Sequence, residues 1–399
     1  MKVGFNARYL YDPGLRGFNR YSLCLLRALQ ELPDVEICLL SEERYPVHVL
    51  YRSLLRAEVR NLPAARTLYW EQWVLPRFLK AQNIDIFHAP AEGGLPLRKV
   101  CPYFLTYHGV PRLALGSLVG SGELTGVLGD YFDAEFGATH RARGALRNLR
   151  SQLSSHLYLR AADLIITVSE FSKLQLVRFL GLSHDKVRVI YEAADISFSE
   201  PLSVEYIDHV RISHAIPPRF ILFVGGFDKH KNVAGLLASF AALRKAEPDV
   251  ALVLVGTGGD MQGCRARSEA LGLEEGRHVV FLHRLSDREL AALYRSASLF
   301  TTLSWHEGFC LPLVEAMASG TPILASSFGA IPEILGEGGW VVDPRRPDEV
   351  VARMREILNR DEVADELRAY SLRRSQAYSW QKAAHETLRA YKELSTTCA

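Results

Sequence analysis

Two glutamates, Glu307 and Glu315, flank a loop and the start of a predicted helix in the segment WHEGFCLPLVEAMASG. Gly308 favours a turn, and Pro312 is tolerated in the first turn of a helix because its missing N–H needs no partner there. A helix N-terminus offers unpaired N–H groups and the positive end of the helix dipole, so it attracts anions. Carboxylates beside that anion site would accept hydrogen bonds from hydroxyl groups. The pattern favours a ligand with phosphate at its centre and polyols at both ends, such as a sugar nucleotide.

Positive charge is concentrated in a second glycine-containing loop, GGFDKHKN. The loop begins at Gly225, after a predicted strand at 221–224, and leads into a predicted helix. Lys229, His230 and Lys231 lie next to this helix start, where backbone N–H groups again favour an anion. The alternative is that these side chains are only solvated, as most lysines in loops are.

The N-terminal half carries three further candidates near the ends of predicted strands. Gly17 belongs to a strand-loop-helix arrangement in which backbone can approach a phosphate; the alternative is an ordinary turn before a solvated helix. His88 and His108 each end a buried strand, and ligands of doubly wound sheets collect at the carboxyl ends of strands. For His88 we favour a hydrogen-bonded histidine without a catalytic role, and for His108 a contact with ligand.

These residues need two sheets to position them. Short apolar segments alternate with helical periodicity along both halves of the chain, which predicts parallel strands connected by helices. We therefore predict an α/β protein of two doubly wound, Rossmann-like domains that face a central cleft. The N-terminal domain is expected to span 1–198 and the C-terminal domain 218–375, joined by a proline-containing linker at 199–217.

Composition excludes several classes of function. A chain of 399 residues is too long for one core, and a net charge of +2 gives no overall case for nucleic acid binding. No GxGxxG motif with a distal acidic residue follows a strand, which argues against a dinucleotide-dependent enzyme. No apolar segment approaches the roughly 20 residues needed to span a membrane, and no signal peptide precedes the first strand. We expect a cytoplasmic protein.

The cysteines and acidic residues give no indication of a metal site. The six cysteines are scattered without a CxxC pair, which predicts neither a zinc site nor a disulfide framework and suggests a reducing compartment. No Asp-x-Asp motif and no cluster of histidine and aspartate occurs. We expect no metal and no cofactor. The cysteines are Cys24, Cys38, Cys101, Cys264, Cys310 and Cys398.

The segment from Glu307 to Glu315 resembles the E-x7-E signature of the retaining nucleotide-sugar glycosyltransferases of family 4, which have the GT-B fold. The resemblance implies that Glu307 contacts the donor sugar and that Glu315 holds the ribose hydroxyls. It also assigns contacts with sugar and phosphate to the backbone of Phe309, Cys310 and Leu311.

Other motifs resemble the same family. Lys231, in the loop that begins at Gly225, matches the lysine that neutralises the donor diphosphate. His108 matches a histidine that contacts the donor sugar or the reacting centre, and Gly17 opens the segment GFNRY, where the family shows G-x-G-R-Y. The resemblance further implies that a last helix, at 376–399, packs back on the N-terminal domain. It places the nucleobase against the backbone of His283, Arg284 and Leu285.

Four positions depart from the family pattern. Asn19 replaces the second glycine of G-x-G-R-Y, and asparagine tolerates left-handed backbone angles better than most residues. Gly109 replaces the aspartate that often follows the histidine, and Cys310 occupies a position usually held by glycine. Gly226 stands where the family usually has arginine, so one of two cations for the diphosphate is missing unless a neighbouring residue compensates.

The resemblance implies a retaining, metal-independent glycosyltransferase. It would move a hexose-type sugar from a nucleotide diphosphate sugar to a glycan, lipid-linked or small-molecule acceptor, in polysaccharide or glycoconjugate biosynthesis. A catalytically impaired nucleotide-sugar binding module with the same fold remains the alternative.

A basic segment outside these motifs places Arg143, Arg147 and Arg150 on one face of a predicted helix. A solvated face is the reading we favour for these three arginines. The alternative is a contact with an anionic acceptor or with the inner face of the membrane.

Overall fold

The computed structural model describes residues 1–12, 17–109 and 156–397. They form two compact units. The first unit contains the described residues up to Glu192 together with the chain from Ser379 onward, and the second contains Ala193–Tyr378. No helix in these described ranges is both long and apolar enough to cross a bilayer.

The first unit is built on a seven-stranded sheet in the order β3-β2-β1-β4-β5-β6-β7, in which all neighbouring strands are parallel. Its central strands are buried along their whole length, as expected for a parallel sheet covered on both faces. The strands are β1 (Lys2–Asn6), β2 (Glu36–Glu42), β3 (Glu58–Leu62), β4 (Ile86–Ala89), β5 (Tyr103–Tyr107), β6 (Leu164–Thr167) and β7 (Val187–Val189).

One helical segment of the first unit differs from its sequence-based prediction. The sequence predicts a single helix over 68–81, bent by Pro76, whereas the structure inserts a π-helical turn, Trp70–Val74, before helix Leu75–Ala81. A proline has no N–H to continue the regular α-helical ladder, and the wider turn precedes it. The α-helices of this unit are Gly17–Leu29, Val49–Leu54, Thr67–Tyr69, Leu75–Ala81, Glu170–Leu180 and Trp380–Thr397.

The second unit repeats the plan with a six-stranded parallel sheet in the order β10-β9-β8-β11-β12-β13. The two sheets confirm the prediction of doubly wound α/β units. The strands are β8 (Phe220–Val224), β9 (Ala251–Val255), β10 (Val279–Leu282), β11 (Leu299–Thr302), β12 (Ile323–Ser326) and β13 (Trp340–Val342). The helices are Val204–Ser213, Val233–Leu243, Met261–Ala270, Asp287–Ser296, Leu311–Ala318, Ile331–Leu335, Pro347–Asn359 and Asp361–Ser375.

The segment predicted as a linker, 199–217, contains helix Val204–Ser213 and belongs to the second unit. Ser203 caps this helix by accepting a hydrogen bond from the backbone N–H of Tyr206. The ring of Tyr206 in turn lies under the Arg288 guanidinium, 4.5 Å from it. The prolines of this segment led to the prediction of a linker, but they lie on either side of the helix rather than within it.

The C-terminal helix, Trp380–Thr397, packs in the first unit against helix Gly17–Leu29. Trp380 makes an edge-to-face contact with Tyr21 at 5.8 Å. Further along the helix, Tyr391 is fully buried, and its hydroxyl lies 2.5 Å from Nδ1 of His88 on β4. The last helix therefore supplies part of the core of the first unit.

Candidate functional site

The second sheet has its topological switch point between β8 and β11, where connections leave in opposite directions along the sheet. In open α/β sheets, ligands bind outside the carboxyl ends of the strands at such a point. The loop after β8 carries Lys231, and the loop after β11 carries Glu307. A hydrogen bond of 2.8 Å from the Trp305 N–H to the His230 carbonyl joins the two loops. The topology thus brings together residues that are 76 positions apart.

Lys231 and Glu307 form an ion pair. The Lys231 Nζ lies 2.7 Å from Oε1 and 2.8 Å from Oε2 of Glu307, and their side chains are 19% and 8% exposed. Burial alone would lower the pKa of Lys231 and raise that of Glu307. Burial is the largest single effect on each group, but the partner's opposite charge, other nearby charges and the hydrogen bonds together outweigh it, so the pKa of Lys231 is raised and that of Glu307 is lowered. Glu307 is therefore an ionised hydrogen-bond acceptor rather than an acid.

A chain of hydroxyls orients the Glu307 carboxylate from the other side. Ser304, which is fully buried, donates a hydrogen bond of 2.7 Å to Glu307 Oε1. The Ser304 hydroxyl also lies 3.0 Å from the hydroxyl of Thr302 at the end of β11. Both oxygens of Glu307 are therefore contacted by Lys231, while Ser304 fixes one of them.

The backbone of Glu307 is held against the loop that follows β12. The Ala330 N–H donates to the Glu307 carbonyl at 3.0 Å. Gly329 has a φ of +68°, and a Cβ there would lie 2.6 Å from the Glu307 nitrogen. Only glycine permits this approach, because a larger residue would meet backbone atoms that cannot move aside. Gly329 thus sets the position of Glu307.

His306 is a half-buried neighbour of the ion pair, and its Nε2 atom is buried. Its burial lowers the pKa of the imidazole to about 4, with a smaller lowering by His230 and Lys231 and an opposing effect from Glu307. The ring is neutral at physiological pH. It therefore adds no positive charge to the site.

The helix Leu311–Ala318 begins beside the ion pair, and the side chain of its N-cap residue makes no capping hydrogen bond. Its N-cap residue, Cys310, adopts φ +82° and ψ 71°, a left-handed conformation that costs a non-glycine residue about 1–2 kcal/mol. Burial, followed by the charge of Glu307, raises the pKa of the Cys310 thiol. Phe309 packs edge to face on Tyr378 at 5.8 Å. The helix start therefore presents backbone rather than a reactive thiolate.

Glu315 lies within this helix and is 3% exposed. The fully buried Tyr294 donates a hydrogen bond of 3.1 Å to Glu315 Oε2. The negative charges of Glu307 and, more weakly, Glu315 both help to raise the pKa of Cys310, so both carboxylates lie near the N-cap residue of this helix. The predicted arrangement of an anion site flanked by carboxylates is consistent with this geometry.

Position 226, in the loop after β8, is glycine rather than arginine, and the Asp228 carboxylate lies where a side chain at position 226 would begin. A Cβ on Gly226 would lie 2.8 Å from a carboxylate oxygen of Asp228. Asp228 contributes to the raised pKa of Lys231, so the loop brings an additional negative charge near the lysine. Gly225 precedes it, and its carbonyl oxygen would lie 1.7 Å from a Cβ on Gly256 in the loop after β9. The two loops are therefore in very close backbone contact.

The residues predicted to receive a nucleobase follow β10 at the same edge of the sheet. His283 and Arg284 are exposed, Leu285 is half-buried, and Arg284 adopts a φ of +60°. Ser286 then begins helix Asp287–Ser296 with the predicted capping box. The structure gives these three residues the location that the prediction requires, and their role stays a prediction.

In the first unit, His108 directly follows β5 and is held by two acceptors. Its Nδ1 lies 2.9 Å from Oε1 of Glu192, and its Nε2 lies 2.7 Å from the Pro90 carbonyl. The rings of Tyr21 and Phe18 contact it edge to face, at 4.5 and 5.0 Å. Both ring nitrogens are thus engaged within the unit. A ligand can contact the carbon atoms of the His108 ring directly, whereas a hydrogen bond from the ring to a ligand has to replace one of these two bonds.

His88 takes the structural role that the sequence favoured. It is fully buried, and its Nε2 lies 2.7 Å from the hydroxyl of Thr106, opposite its contact with Tyr391. Burial lowers its pKa to about 3. A neutral histidine inside a hydrogen-bonded network has no access to ligand.

Gly17 and Asn19 open helix Gly17–Leu29. A Cβ on Gly17 would meet open space, so packing does not require glycine there. Asn19 lies within the helix rather than in a left-handed loop, and its side-chain amide donates to the Asp12 carbonyl at 3.3 Å. The tolerance of asparagine for left-handed angles is therefore not the reason for its presence. The basic segment with Arg143, Arg147 and Arg150 lies outside the described residues.

Sequence reasoning missed four residues that support the site: Ser304, His306, Gly329 and Tyr294. Ser304 and His306 lie within three positions of Glu307, so proximity to the motif was an available signal. Gly329 and Tyr294 are remote in sequence and become neighbours only through the order of the strands. Contacts of that kind carry no local signature.

Two family models match the chain. The model described as Glycosyltransferase Family 4 matches residues 15–198, and the model described as Glycosyl transferases group 1 matches residues 208–374.

Individual relatives agree with these matches. The chain is 28% identical over 242 residues to O-antigen chain mannosyltransferase B of Escherichia coli, an alignment that covers 60% of this chain and 63% of that protein. It is 33% identical over 234 residues to an MMP alpha-(1->4)-mannosyltransferase of Mycolicibacterium hassiacum, covering 57% and 54%. The matched part of the chain thus spans less than two thirds of the length of these relatives.

Among solved structures, the fold is similar to that of Anabaena Alr3699/HepE in complex with UDP and glucose. The TM-score is 0.73 at 17% identity, and the match covers 99% of this chain and 100% of that one. At this identity the likeness shows the fold.

Proposed function

Because this chain belongs to the family 4 glycosyltransferases of the GT-B fold, we propose that it transfers a hexose from a nucleotide diphosphate sugar to a carbohydrate-type acceptor, with retention of anomeric configuration. The observation that carries the proposal is the Lys231–Glu307 pair at the switch point of the second sheet, beside the N-terminus of helix Leu311–Ala318. A cation and a helix N-terminus suit the diphosphate of a nucleotide sugar, and a carboxylate suits the sugar hydroxyls.

The roles follow from charge and position. When the bond between the anomeric carbon and the diphosphate oxygen breaks, negative charge grows on the departing diphosphate. Lys231 and the N–H groups at the helix start would stabilise that charge, and preorganised electrostatic stabilisation of this kind is usually the largest contribution to catalysis. Glu307, kept ionised by Lys231, would accept hydrogen bonds from sugar hydroxyls, and Glu315 would do the same for the ribose.

Two of the relatives are named mannosyltransferases, so mannose is the first donor sugar to test. The names of these relatives do not specify the nucleotide base of the donor. The solved structure described above contains UDP, but its likeness to this chain shows only the fold. We propose a thermal-shift screen of UDP-, GDP-, ADP- and dTDP-sugars on the full chain. A ligand that binds only the folded protein raises its apparent stability by mass action. The donor should stand out from the other nucleotides at equal concentration.

Activity then separates an enzyme from a binding module. Wild type should hydrolyse or transfer the selected donor, and Glu307→Gln and Lys231→Met should each lose at least about a hundredfold in kcat/KM, the scale of one electrostatic contact at a reacting group. Lys245→Met, an exposed lysine of the same unit, is the matched control and should retain wild-type rates. Retention is read from the anomeric signal of the product by NMR, and turnover should persist in EDTA because Lys231 supplies the cation.

The alternative is an impaired nucleotide-sugar binding module. It is favoured by one observation: the loop of Lys231 has Gly226 and Asp228 where a second cation would serve the diphosphate. A wild type that binds a nucleotide sugar but neither hydrolyses nor transfers it, with every acceptor offered, would establish the module and refute the enzyme.

A further inference from the structure

His108 connects the ends of three strands of the first sheet. It directly follows β5, and its Nε2 lies 2.7 Å from the carbonyl of Pro90, the residue after β4. Its Nδ1 lies 2.9 Å from Oε1 of Glu192, in the segment that follows β7. The strands are parallel, so their carboxyl ends meet at one edge of the sheet. The contact between His108 and Glu192 is therefore a product of the strand order.

The backbone on both sides of this contact is held by Thr167, the last residue of β6. Thr167 is fully buried, and its hydroxyl donates a hydrogen bond of 2.8 Å to the carbonyl of Tyr107, next to His108. Its carbonyl accepts a hydrogen bond of 2.9 Å from the N–H of Ile190, in the segment that leads to Glu192. Thr167 thus fixes the two segments relative to each other.

The two acceptors around His108 determine how many protons the contact holds. A backbone carbonyl can only accept a hydrogen bond, so Nε2 carries a proton that it donates to Pro90. A second proton lies between Nδ1 and the Glu192 carboxylate, because two acceptors cannot form a hydrogen bond of 2.9 Å without one. Imidazole is a stronger base than a carboxylate, so this proton belongs on the ring. The geometry is that of an imidazolium donating to both partners.

Two titratable groups near His108 are neutral and do not compete with Glu192 for the charge of the ring. Burial, followed by the positive charge of His108, lowers the pKa of His88 on β4. Burial raises the pKa of Tyr21, its hydrogen bond with Thr106 opposes that rise, and the negative charge of Glu192 adds to it. His88 therefore stays deprotonated and Tyr21 stays protonated at neutral pH.

The contact between His108 and Glu192 is largely buried. The rings of Tyr21 and Phe18 lie against His108, and the side chains of His108 and Glu192 are 11% and 5% exposed. A buried ion pair gains little net stability, because desolvation offsets the attraction between the charges. Turning the ring would break one of its two hydrogen bonds and leave a buried acceptor without its donor. Orientation of the ring explains the pair better than stability does.

We infer that Glu192 is a positioning residue for the transfer reaction: it keeps His108 doubly protonated and fixed, so that the ring meets ligand as an immobile cation and does not act as a general base. Glu192 thereby gives the ring a carboxylate partner, although Gly109 stands where family members often have an aspartate. The inference rests on the proposed function and on a contact between His108 and ligand, and it adds how that contact is held and charged.

The charge of the ring is measured on the full chain by NMR of protein labelled at histidine, which reports the protonation of both ring nitrogens without ligand or turnover. His108 is assigned as the signal that is lost in His108→Gln. At pH 7.5 both nitrogens of His108 should be protonated in wild type and in Glu192→Asp, which keeps the carboxylate. In Glu192→Gln the ring should be neutral at pH 7.5, because the amide carries no charge to hold the second proton.

Kinetics connect the ring to the reaction. At pH 7.5, Glu192→Gln should lower kcat/KM at least about tenfold, the order of one hydrogen bond to a charged group, because the neutral ring loses a donor and can turn. At pH 5.5, protonation of the ring restores that donor, and the deficit relative to wild type should shrink to less than about threefold. Glu192→Asp should stay closer to wild type at both pH values.

Glu274→Gln is the matched control. It makes the same chemical change at an exposed glutamate whose carboxylate lies 3.9 Å from His278 in the second unit. Its kcat/KM should equal that of wild type at both pH values. A role of Glu192 in structural support alone would give a deficit that does not depend on pH.

Three outcomes would overturn the inference: His108 is neutral in wild type at pH 7.5, Glu192→Gln leaves it doubly protonated there, or the kinetic deficit of Glu192→Gln is absent or equal at the two pH values. The first outcome needs no variant, so the inference can be refuted even if a substitution prevents folding. Failure of the proposed function has a different signature, in which wild type processes no nucleotide sugar while the NMR result stands by itself.

Discussion

Replacing Lys231 by methionine removes the positive partner of a carboxylate that is 8% exposed. The side chain is similar in length, so the main change is electrostatic. In wild type, Glu307 has a lowered pKa, and its contribution to stability is present above its ordinary value of 4.5 and is lost as pH falls through the lowered value. Lys231 has a raised pKa, so its contribution is present below 10.5 and is lost as pH rises through the raised value. The pair stabilises the fold fully between these limits.

The variant should lose about 3–5 kcal/mol at pH 7.5, the range for a buried ion pair deprived of one partner. For a unit that spans Ala193–Tyr378 this corresponds to a fall of about 6–20 °C in melting temperature. Without Lys231, burial dominates and raises the pKa of Glu307. Lowering the pH then protonates the carboxyl group and recovers part of the loss, which is the reverse of the wild-type dependence.

Hydrogen exchange measured by mass spectrometry is the appropriate assay, because the two units need not unfold together. Peptides covering β8 and β11 report the second unit, and peptides from β1 and β4 serve as an internal reference. Lys231→Met combined with Glu307→Gln should recover most of the stability, and Lys245→Met should match wild type. A destabilisation that is the same at pH 7.5 and pH 5.5, or no recovery in the double variant, would refute the reasoning.

Two further variants test the support of the site. Gly329→Ala should lower the free energy of unfolding by about 1–3 kcal/mol and raise the donor KM more than tenfold, because the new methyl group displaces the backbone of Glu307. Gly276→Ala is the control for backbone strain alone, since Gly276 has a φ of +82° but open space around it. Equal donor KM values in the two variants would argue against the displacement. Tyr294→Phe should weaken nucleotide binding about threefold to tenfold by removing the hydrogen bond to Glu315, as judged by titration calorimetry, and unchanged binding would contradict a role for that bond.

The strand-helix alternation was predictable because parallel strands buried on both faces have a strong apolar signature. The location of Glu307 and Lys231 at strand ends was predictable for the same reason. Their direct ion pair was not, since it depends on the conformations of two loops that only the order β8-β11 brings together.

The predicted bend at Pro76 shows the same limit. The sequence marks where the helix is disturbed, but it does not show that the disturbance takes the form of a π-helical turn, within which Glu71 contacts Arg8 and Tyr158. Similarly, His108 was recognisable as a strand-end histidine, whereas its two acceptors, Glu192 and Pro90, come from elements elsewhere in the chain. Local patterns specify elements, and tertiary contacts specify which atoms are left for a ligand.

The C-terminal helix has a consequence for biosynthesis. Tyr391 fills a fully buried position against His88 and Phe104, yet it leaves the ribosome only after the second unit has been translated. The second unit, Ala193–Tyr378, is complete in sequence before that helix is translated. Domains generally fold as units during synthesis, so the order of completion here is inverted: the first unit, whose sheet is translated earlier, finishes folding only after the second. A ribosome stalled before Trp380 would expose an unfilled first core beside a finished second one.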